Sequence, residues 1–380
     1  GQLHGAIYQG GGALVGRSGG HGVRGLPAEA GGLLEALAQG ERLDHTQWRT
    51  LLEARTPALA AEAAQRAAAV RDRIYGKRVF IRGLIEFTNY CKNDCYYCGI
   101  RHGNRATSRY RLTEDEILAC CRAGYALGFR TFVLQGGEDP YFTDARLVRL
   151  VSAIKREFPS CALTLSVGER PQESYAALRA AGADRYLLRH ETANAAHYRR
   201  LHPENQRLED RMACLRALKA LGYQTGAGFM VGSPGQTLDC LADDLVFLTA
   251  FRPEMVGIGP FLPHHQTPFA GEPAGSVEMT LYLLSLVRLA LPAVLLPATT
   301  ALGTAAGDGR ERGVQAGANV VMPNLSPAGV REKYMLYDNK ISTGSEAAEC
   351  LDELRQRMQA IGYTVAVDRG DFAGISEGKV

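Results

Sequence analysis

Phe132-Val133-Leu134-Gln135-Gly136-Gly137-Glu138-Asp139 passes from three apolar residues straight into polar and glycine residues, and the arrangement recurs along the chain. Val79-Phe80-Ile81, Leu163-Thr164-Leu165, Tyr186-Leu187-Leu188, Phe229-Met230-Val231, Val256-Gly257-Ile258, Val294-Leu295-Leu296 and Val320-Val321-Met322 bring the apolar runs to eight. Such short, near-continuous runs suit parallel strands buried on both faces. Amphipathic stretches separate them. One opens at Thr113 and Glu116, spaced as a capping box, with Ile117, Cys121 and Tyr125 down one side; another carries Leu208, Met212, Leu215 and Leu218 at helical spacing. Eight β/α units in succession predict an α/β fold, a complete (β/α)8 TIM-type barrel over residues 77–325. A doubly wound open sheet is the alternative, and the count of eight favours closure.

At 380 residues the chain exceeds a typical barrel of about 250, which leaves room for additions at both ends. Residues 1–26 read as a glycine-rich flexible leader with no assigned function. Residues 27–76 read as an N-terminal helical extension, with Leu33, Leu34 and Leu37 on one face and an alanine-rich segment from Pro57 to Ile74. Residues 326–380 make a short C-terminal extension. The 43 basic and 40 acidic residues are interspersed and leave +3, which argues against a nucleic-acid surface. No apolar stretch approaches the roughly 18 to 20 residues of a membrane span, and the N-terminus lacks the apolar core of a signal peptide. A cytoplasmic monomer with reduced thiols is the expectation.

The residues after each strand line the mouth of a parallel barrel, where such folds place their chemistry. Here they are polar: Gln135 to Asp139, Ser166-Val167-Gly168-Glu169, Arg189-His190-Glu191-Thr192, Gly232-Ser233-Pro234-Gly235, Gly259 to His264, and Ala298-Thr299-Thr300. The first strand leads into Asn89-Tyr90-Cys91-Lys92-Asn93-Asp94-Cys95-Tyr96-Tyr97-Cys98-Gly99. Three close thiols with no fourth nearby leave a coordination position open. A structural zinc or an electron-transfer cluster takes four protein ligands, whereas three thiolates on a four-iron cluster leave one iron for a substrate. A zinc site completed by a distant His, or three unrelated buried thiols, are the alternatives. Nine cysteines, an odd number, do not make a disulfide framework. Cys120, Cys121, Cys214 and Cys240 fall in predicted helices and read as structural, and His190, His264 and His265 read as hydrogen-bonding or surface residues.

The three-cysteine spacing, with Tyr97 before the last cysteine, resembles the signature of radical S-adenosylmethionine (SAM) enzymes. The resemblance implies a 4Fe-4S cluster on Cys91, Cys95 and Cys98 whose fourth iron binds SAM, and reductive cleavage of SAM to a 5′-deoxyadenosyl radical. Gly136, Gly137 and Glu138 resemble the superfamily's Gly-Gly-Glu motif beside the SAM amino group. Glu191 and Arg211, otherwise an ordinary ion pair of the wall, then face the ribose or amino group and the carboxylate. Ser166, Met230 and Ile258 complete the implied pocket, the last two bordering the adenosyl part.

Longer strings resemble the HydE family, the radical SAM maturases of FeFe-hydrogenase, over residues 60–340: Arg82 through Cys91, Cys98 through Arg101, Leu134 through Tyr141, Arg185 through Thr192, Gly226 through Gly232, and Pro297 through Thr304. This implies an anaerobic role in assembling the diiron dithiolate centre from a small anionic or organometallic iron-cysteine substrate. A reductant such as a ferredoxin or flavodoxin and the other hydrogenase maturases are the implied partners. Gln135, Arg189, Thr299, Thr300, Met322 and Tyr334 are the expected substrate-facing residues, although Thr299 or Thr300 singly also reads as a strand or helix cap.

One departure matters. Some members carry three C-terminal cysteines for an accessory cluster, whereas here Cys350 stands with Ser342 and Glu353 at the other two places, so one cluster is expected. Within the enzyme class, a biotin synthase or methylornithine synthase type of reaction is the runner-up; the first needs a sacrificial cluster for which the remaining cysteines give no convincing ligands. A non-catalytic iron-sulfur scaffold or carrier is the alternative from another class, and it leaves the polar mouth unexplained.

Overall fold

Helices α1 (Leu26–Ala38), α2 (His45–Glu53) and α3 (Pro57–Tyr75) lead into the barrel. The structure, a computed structural model, describes residues 26–374, so the expected leader, apart from Leu26, lies outside the described residues. Leu34 and Leu37 are buried as their spacing predicts. The sequence did not single out α2, which an Asp44–Gln47 capping box opens and which buries Trp48, Leu51 and Leu52.

β1 (Arg78–Ile81) and β2 (Gly83–Thr88) run on from one another, because Phe80, Ile81 and Leu84 pair in constant register with Val320, Val321 and Asn324. Then follow α4 (Glu114–Leu127), β3 (Thr131–Gly136), α5 (Asp144–Glu157), β4 (Ala162–Ser166), α6 (Gln172–Ala181), β5 (Arg185–Leu187), α7 (Ala195–Leu201), α8 (Leu208–Ala220), β6 (Gln224–Val231), α9 (Leu238–Phe251), β7 (Met255–Pro260) and α10 (Val277–Ala290). The Thr113–Glu116 capping box forms as predicted at the start of α4. β2 to β7 make one parallel sheet in chain order.

Residues 295–297 and 320–324 carry the remaining two sides: Met255 bridges Leu295, Pro297 bridges Val320, and Leu84 bridges Asn324, which returns the ring to β2. These sides are short because Pro297 and Pro323 have no N–H to give a ladder. The expected seventh strand is therefore only bridged, and the strand that feeds the cysteine loop is β2 rather than Val79–Ile81. After α11 (Thr300–Ala305), α12 (Gly309–Gln315), β8 (Val320–Val321), α13 (Ala328–Arg331) and α14 (Leu351–Ala360), β9 (Thr364–Ala366) pairs with β1. Tyr75, Phe80, Met255, Leu295, Val320 and Ala366 close the lower end of the barrel.

Arg71 of α3 is fully buried and donates to the carbonyls of Val314 and Ala318 (2.7 Å to the latter) and to the Tyr363 hydroxyl. It thus joins the N-terminal helices, the approach to β8 and the C-terminal segment. Arg71→Met should strand these buried acceptors and lower the unfolding free energy by about 3 kcal/mol in a denaturant titration. A loss below about 0.5 kcal/mol, the scale of an ordinary surface change, would show that the contact is dispensable.

Candidate active site

The loop after β2 is held by hydrogen bonds rather than by secondary structure. Asn89 Nδ2 donates to the carbonyls of Ser108 (2.9 Å) and Lys333 (2.8 Å), and Arg109 donates to those of Asn89, Ile100, Arg101 and Asn104. The N–H of Lys92 donates to Glu138 O (3.0 Å) and that of Gly99 to Leu336 O (2.9 Å). A Cβ on Gly137 would overlap the Tyr90 carbonyl oxygen and the Cys91 Cβ, so glycine here lets the end of β3 press against the loop. Gly168, at φ +80°, likewise makes room for the Glu138 side chain, and burial pushes that carboxyl up.

Cys91, Cys95 and Cys98 are half-buried free thiols. Burial pushes Cys95 up to about 11 and raises Cys91 and Cys98 too, and at Cys98 the charges of Cys95 and Cys91 add to the effect. Tyr97, between them, donates its hydroxyl to His202 Nε2 (2.9 Å). A cleft of about 450 Å³ opens beside the loop, lined by Lys92, Asn93, Glu138, Glu169, Arg170 and Gln206. Several buried atoms of this region lack a hydrogen-bond partner: Glu169 Oε1, Arg170 Nε, Arg189 Nη2, Tyr198 OH and Arg211 Nε.

Arg211 pairs with Glu169 (3.7 Å) and donates to Arg189 O (2.6 Å), while Glu191 pairs with Arg189 (3.0 Å), so Glu191 and Arg211 are not each other's partner. Glu191 is buried at φ 65°, a left-handed conformation that a non-glycine residue keeps only when its surroundings hold it; its N–H donates to Gly228 O (2.9 Å). Gln135 and Ser166 sit side by side at the half-buried ends of β3 and β4. Gln135 is the hydrogen-bonding neighbour of the buried Tyr334 phenol, which burial and Glu86 hold neutral. Met230 is half-buried on β6.

Ile258 departs from expectation. It is fully buried in the main core with Phe229 and Val231, on the face of β7 opposite Gly259, whose Cβ would lie 2.6 Å from Thr299 Oγ1. Strand alternation turns it toward the helices and leaves glycine on the inner face. Thr299 Oγ1 caps α11 by accepting from Leu302 N–H (3.2 Å), and Thr300 Oγ1 accepts from Arg310 (3.3 Å), so both hydroxyls have local partners. Met322 packs against the lower plug. His190 donates to Asp244 (2.9 Å), and His264 and His265 gather at Asp338, where His265 Nδ1 lies 2.7 Å from the carboxylate; all three act as hydrogen-bonding residues.

Sequence reasoning missed the interior charges. Arg82 is buried with neither terminal nitrogen partnered, and burial, with Arg185 adding, pushes it down to about 9. Arg185 is buried as well, with Asp371 (2.8 Å) on one nitrogen and two others unpartnered. Glu86, facing inward from β2, is met by Asn324 Nδ2 (2.7 Å) and Lys340 Nζ. The signal available was a charged residue interrupting an apolar run.

A model of the radical SAM superfamily matches residues 85–248. The chain is 46% identical over 301 residues to the [FeFe] hydrogenase maturase subunit HydE of Thermotoga maritima, which spans 79% of this chain and 86% of that one. The crystal structure of methylornithine synthase superposes with a TM-score of 0.79 at 30% identity, covering 88% of this chain and 97% of its own. That of the FeFe-hydrogenase maturase HydG from Carboxydothermus hydrogenoformans gives 0.75 at 22% identity over 90% and 80%, a likeness of fold.

Gly137→Ala should force the cysteine loop away from β3 and cut the iron retained after anaerobic reconstitution severalfold. Gly136→Ala, whose Cβ would meet Thr88 Cγ2 at 2.7 Å, should cost less. Equal iron content in parent and Gly137→Ala would show that the close approach is not needed.

Proposed function

The chain belongs to the HydE family, radical SAM enzymes of the FeFe-hydrogenase maturase type, and from that membership we propose that it works on a small anionic, organometallic iron-cysteine species held inside the barrel. The family implies a 4Fe-4S cluster and SAM, and in this reading Cys91, Cys95 and Cys98 hold the one cluster. The carrying observation is a loop of three half-buried thiols set beside unpartnered polar atoms. Soft donors suit iron, and the free Arg211 Nε and Glu169 Oε1 suit the carboxylate and ammonium of an amino acid. Together the bound cluster and SAM supply a 5′-deoxyadenosyl radical on one-electron reduction.

The chain's own part is positional. Arg211 takes the SAM carboxylate; Glu138, Ser166 and the backbone of Gly136 and Gly137 border the amino end; Glu191, braced by Arg189, faces the ribose, and Met230 borders the adenosyl part. Tyr97, anchored on His202, supports the cluster loop. Deeper in, Gln135, Tyr334, Thr299, Thr300 and Met322 surround the substrate, and the buried Arg82 and Arg185 draw an anion inward, since an uncompensated buried charge is costly. Other hydrogenase maturases are its expected partners, with a low-potential ferredoxin or flavodoxin as reductant. The likeness to methylornithine synthase over nearly that protein's full length favours, as a second reading, formation of such an amino acid.

Reduced protein should release 5′-deoxyadenosine from SAM and should restore hydrogenase activation to an anaerobic extract lacking only this chain. Cys95→Ala should lose cluster and SAM cleavage together; four irons and full turnover in that variant would sink the assignment. Arg82→Met should keep cluster and SAM affinity while lowering hydrogenase activation about tenfold or more, the scale of a lost charged hydrogen bond. Activation at the parent rate would place the substrate elsewhere.

A further inference from the structure

We propose that Gln206 is a positioning residue for the cluster, its side-chain amide donating an N–H···S hydrogen bond to Cys95 that raises the potential at which the cluster accepts an electron. The inference rests on the reading that Cys91, Cys95 and Cys98 carry the cluster. Gln206 lies in the turn between α7 and α8, where its own N–H is bonded to Pro203 O (3.0 Å), and it is 7% exposed. From there Oε1 accepts the Asp94 N–H (3.1 Å) and Nε2 lies 3.1 Å from Cys95 Sγ.

These two contacts fix which way the amide faces. Turned over, it would set its NH₂ against the Asp94 N–H and its oxygen against the sulfur, exchanging two attractions for two repulsions. The same stretch grips the loop twice more, through the Tyr96 N–H to Leu201 O (3.0 Å) and the Tyr97 hydroxyl to His202 Nε2 (2.9 Å). His202 Nδ1 donates to Tyr198 O (2.9 Å), which leaves Nε2 as the acceptor. The donor is therefore held rigidly at the sulfur.

A thiolate on iron carries more negative charge when the cluster is reduced. A fixed N–H then stabilises the reduced state more than the oxidised one, and the potential rises. The turn that holds Gln206 also supplies a wall of the cleft beside Glu138 and Glu169, so cluster electronics and ligand pocket share one element.

Two variants separate the contacts. Gln206→Glu keeps an acceptor for Asp94 and removes the donor to sulfur, and Gln206→Leu removes both without adding charge. In dithionite titrations of the reconstituted full chain, followed by EPR of the reduced cluster, both should show a lower potential. The expected shift in the one-electron equilibrium is up to about tenfold, or about 59 mV. Gln206→Leu should also lose iron to a chelator severalfold faster than the parent, whereas Gln206→Glu should not. Pulsed EPR of the parent labelled with side-chain ¹⁵N-glutamine should show a nitrogen coupling to the reduced cluster that Gln206→Leu lacks, and this readout in the parent decides the matter even where a variant folds poorly. An unshifted potential in both iron-replete variants, or a labelled parent without the coupling, overturns the proposal. A parent that binds no cluster overturns the underlying reading instead.

Discussion

Three sulfurs gathered in one half-buried loop cannot all be anionic without a cation among them, and the barrel mouth is organised around that constraint. Burial raises Cys98, and the charges of Cys95 and Cys91 raise it further. Nothing in the loop's own geometry would keep the three gathered: between β2 and α4 there is no helix or sheet ladder to offset the backbone entropy. The restraint is borrowed. Arg109 spends its guanidinium on four loop carbonyls, Asn89 ties the loop to Ser108 and Lys333, and Gly137 brings β3 within contact. In the proposed reading, preorganisation of this kind would let the thiols hold a cluster with no further cost of ordering the chain.

Inside the barrel, space and charge are distributed unevenly. Gly228 on β6 pairs with Gly257 on β7, while Gly226 and Gly259 stand opposite Met255 and Met230; a Cβ on Gly228 would overlap the Gly257 carbonyl oxygen, so the two strands add no side-chain bulk at that level. Glu86 is matched by Lys340 and Asn324. Lower down, Arg185 takes the carboxylate of Asp371, and neither terminal nitrogen of Arg82 has a partner. The upper polar group is satisfied, whereas the lower one is short of negative charge.

The parallel strands were legible because their apolar runs end in polar residues, and the Thr113 cap because its partner lies three residues on. The cysteine loop stood out in the sequence because its three thiols are local in sequence. What escaped depends mostly on partners far away in the chain: Arg71 reaches Tyr363 and Glu86 meets Lys340, while Arg109 bonds irregularly spaced carbonyls of its own loop, and none of these leaves a periodic trace. Ile258 was misassigned for a different reason. A run such as Val256-Gly257-Ile258 is apolar on both faces of the strand, so alternation could not say which face looks inward. Pro297 and Pro323 were visible, yet their effect on strands seven and eight depends on which edge each N–H would have served.

The lower end of the barrel links the interior to the C-terminal segment. Arg185 is held by Asp371 and by the carbonyl of Arg369, and the neighbouring β9 pairs with β1, so the segment that seals the barrel also neutralises part of its internal charge. Burial, with Arg185 adding, pushes Arg82 down to about 9, so its guanidinium carries a desolvation cost that Asp371, held by Arg185, does not offset. The anionic substrate proposed above would, by binding there, favour the folded chain over the unfolded one and so couple binding to stability by mass action. Asp371 holds Arg185 and leaves Arg82 without a partner, so the C-terminal segment divides the internal charge into a neutralised part and an unneutralised one.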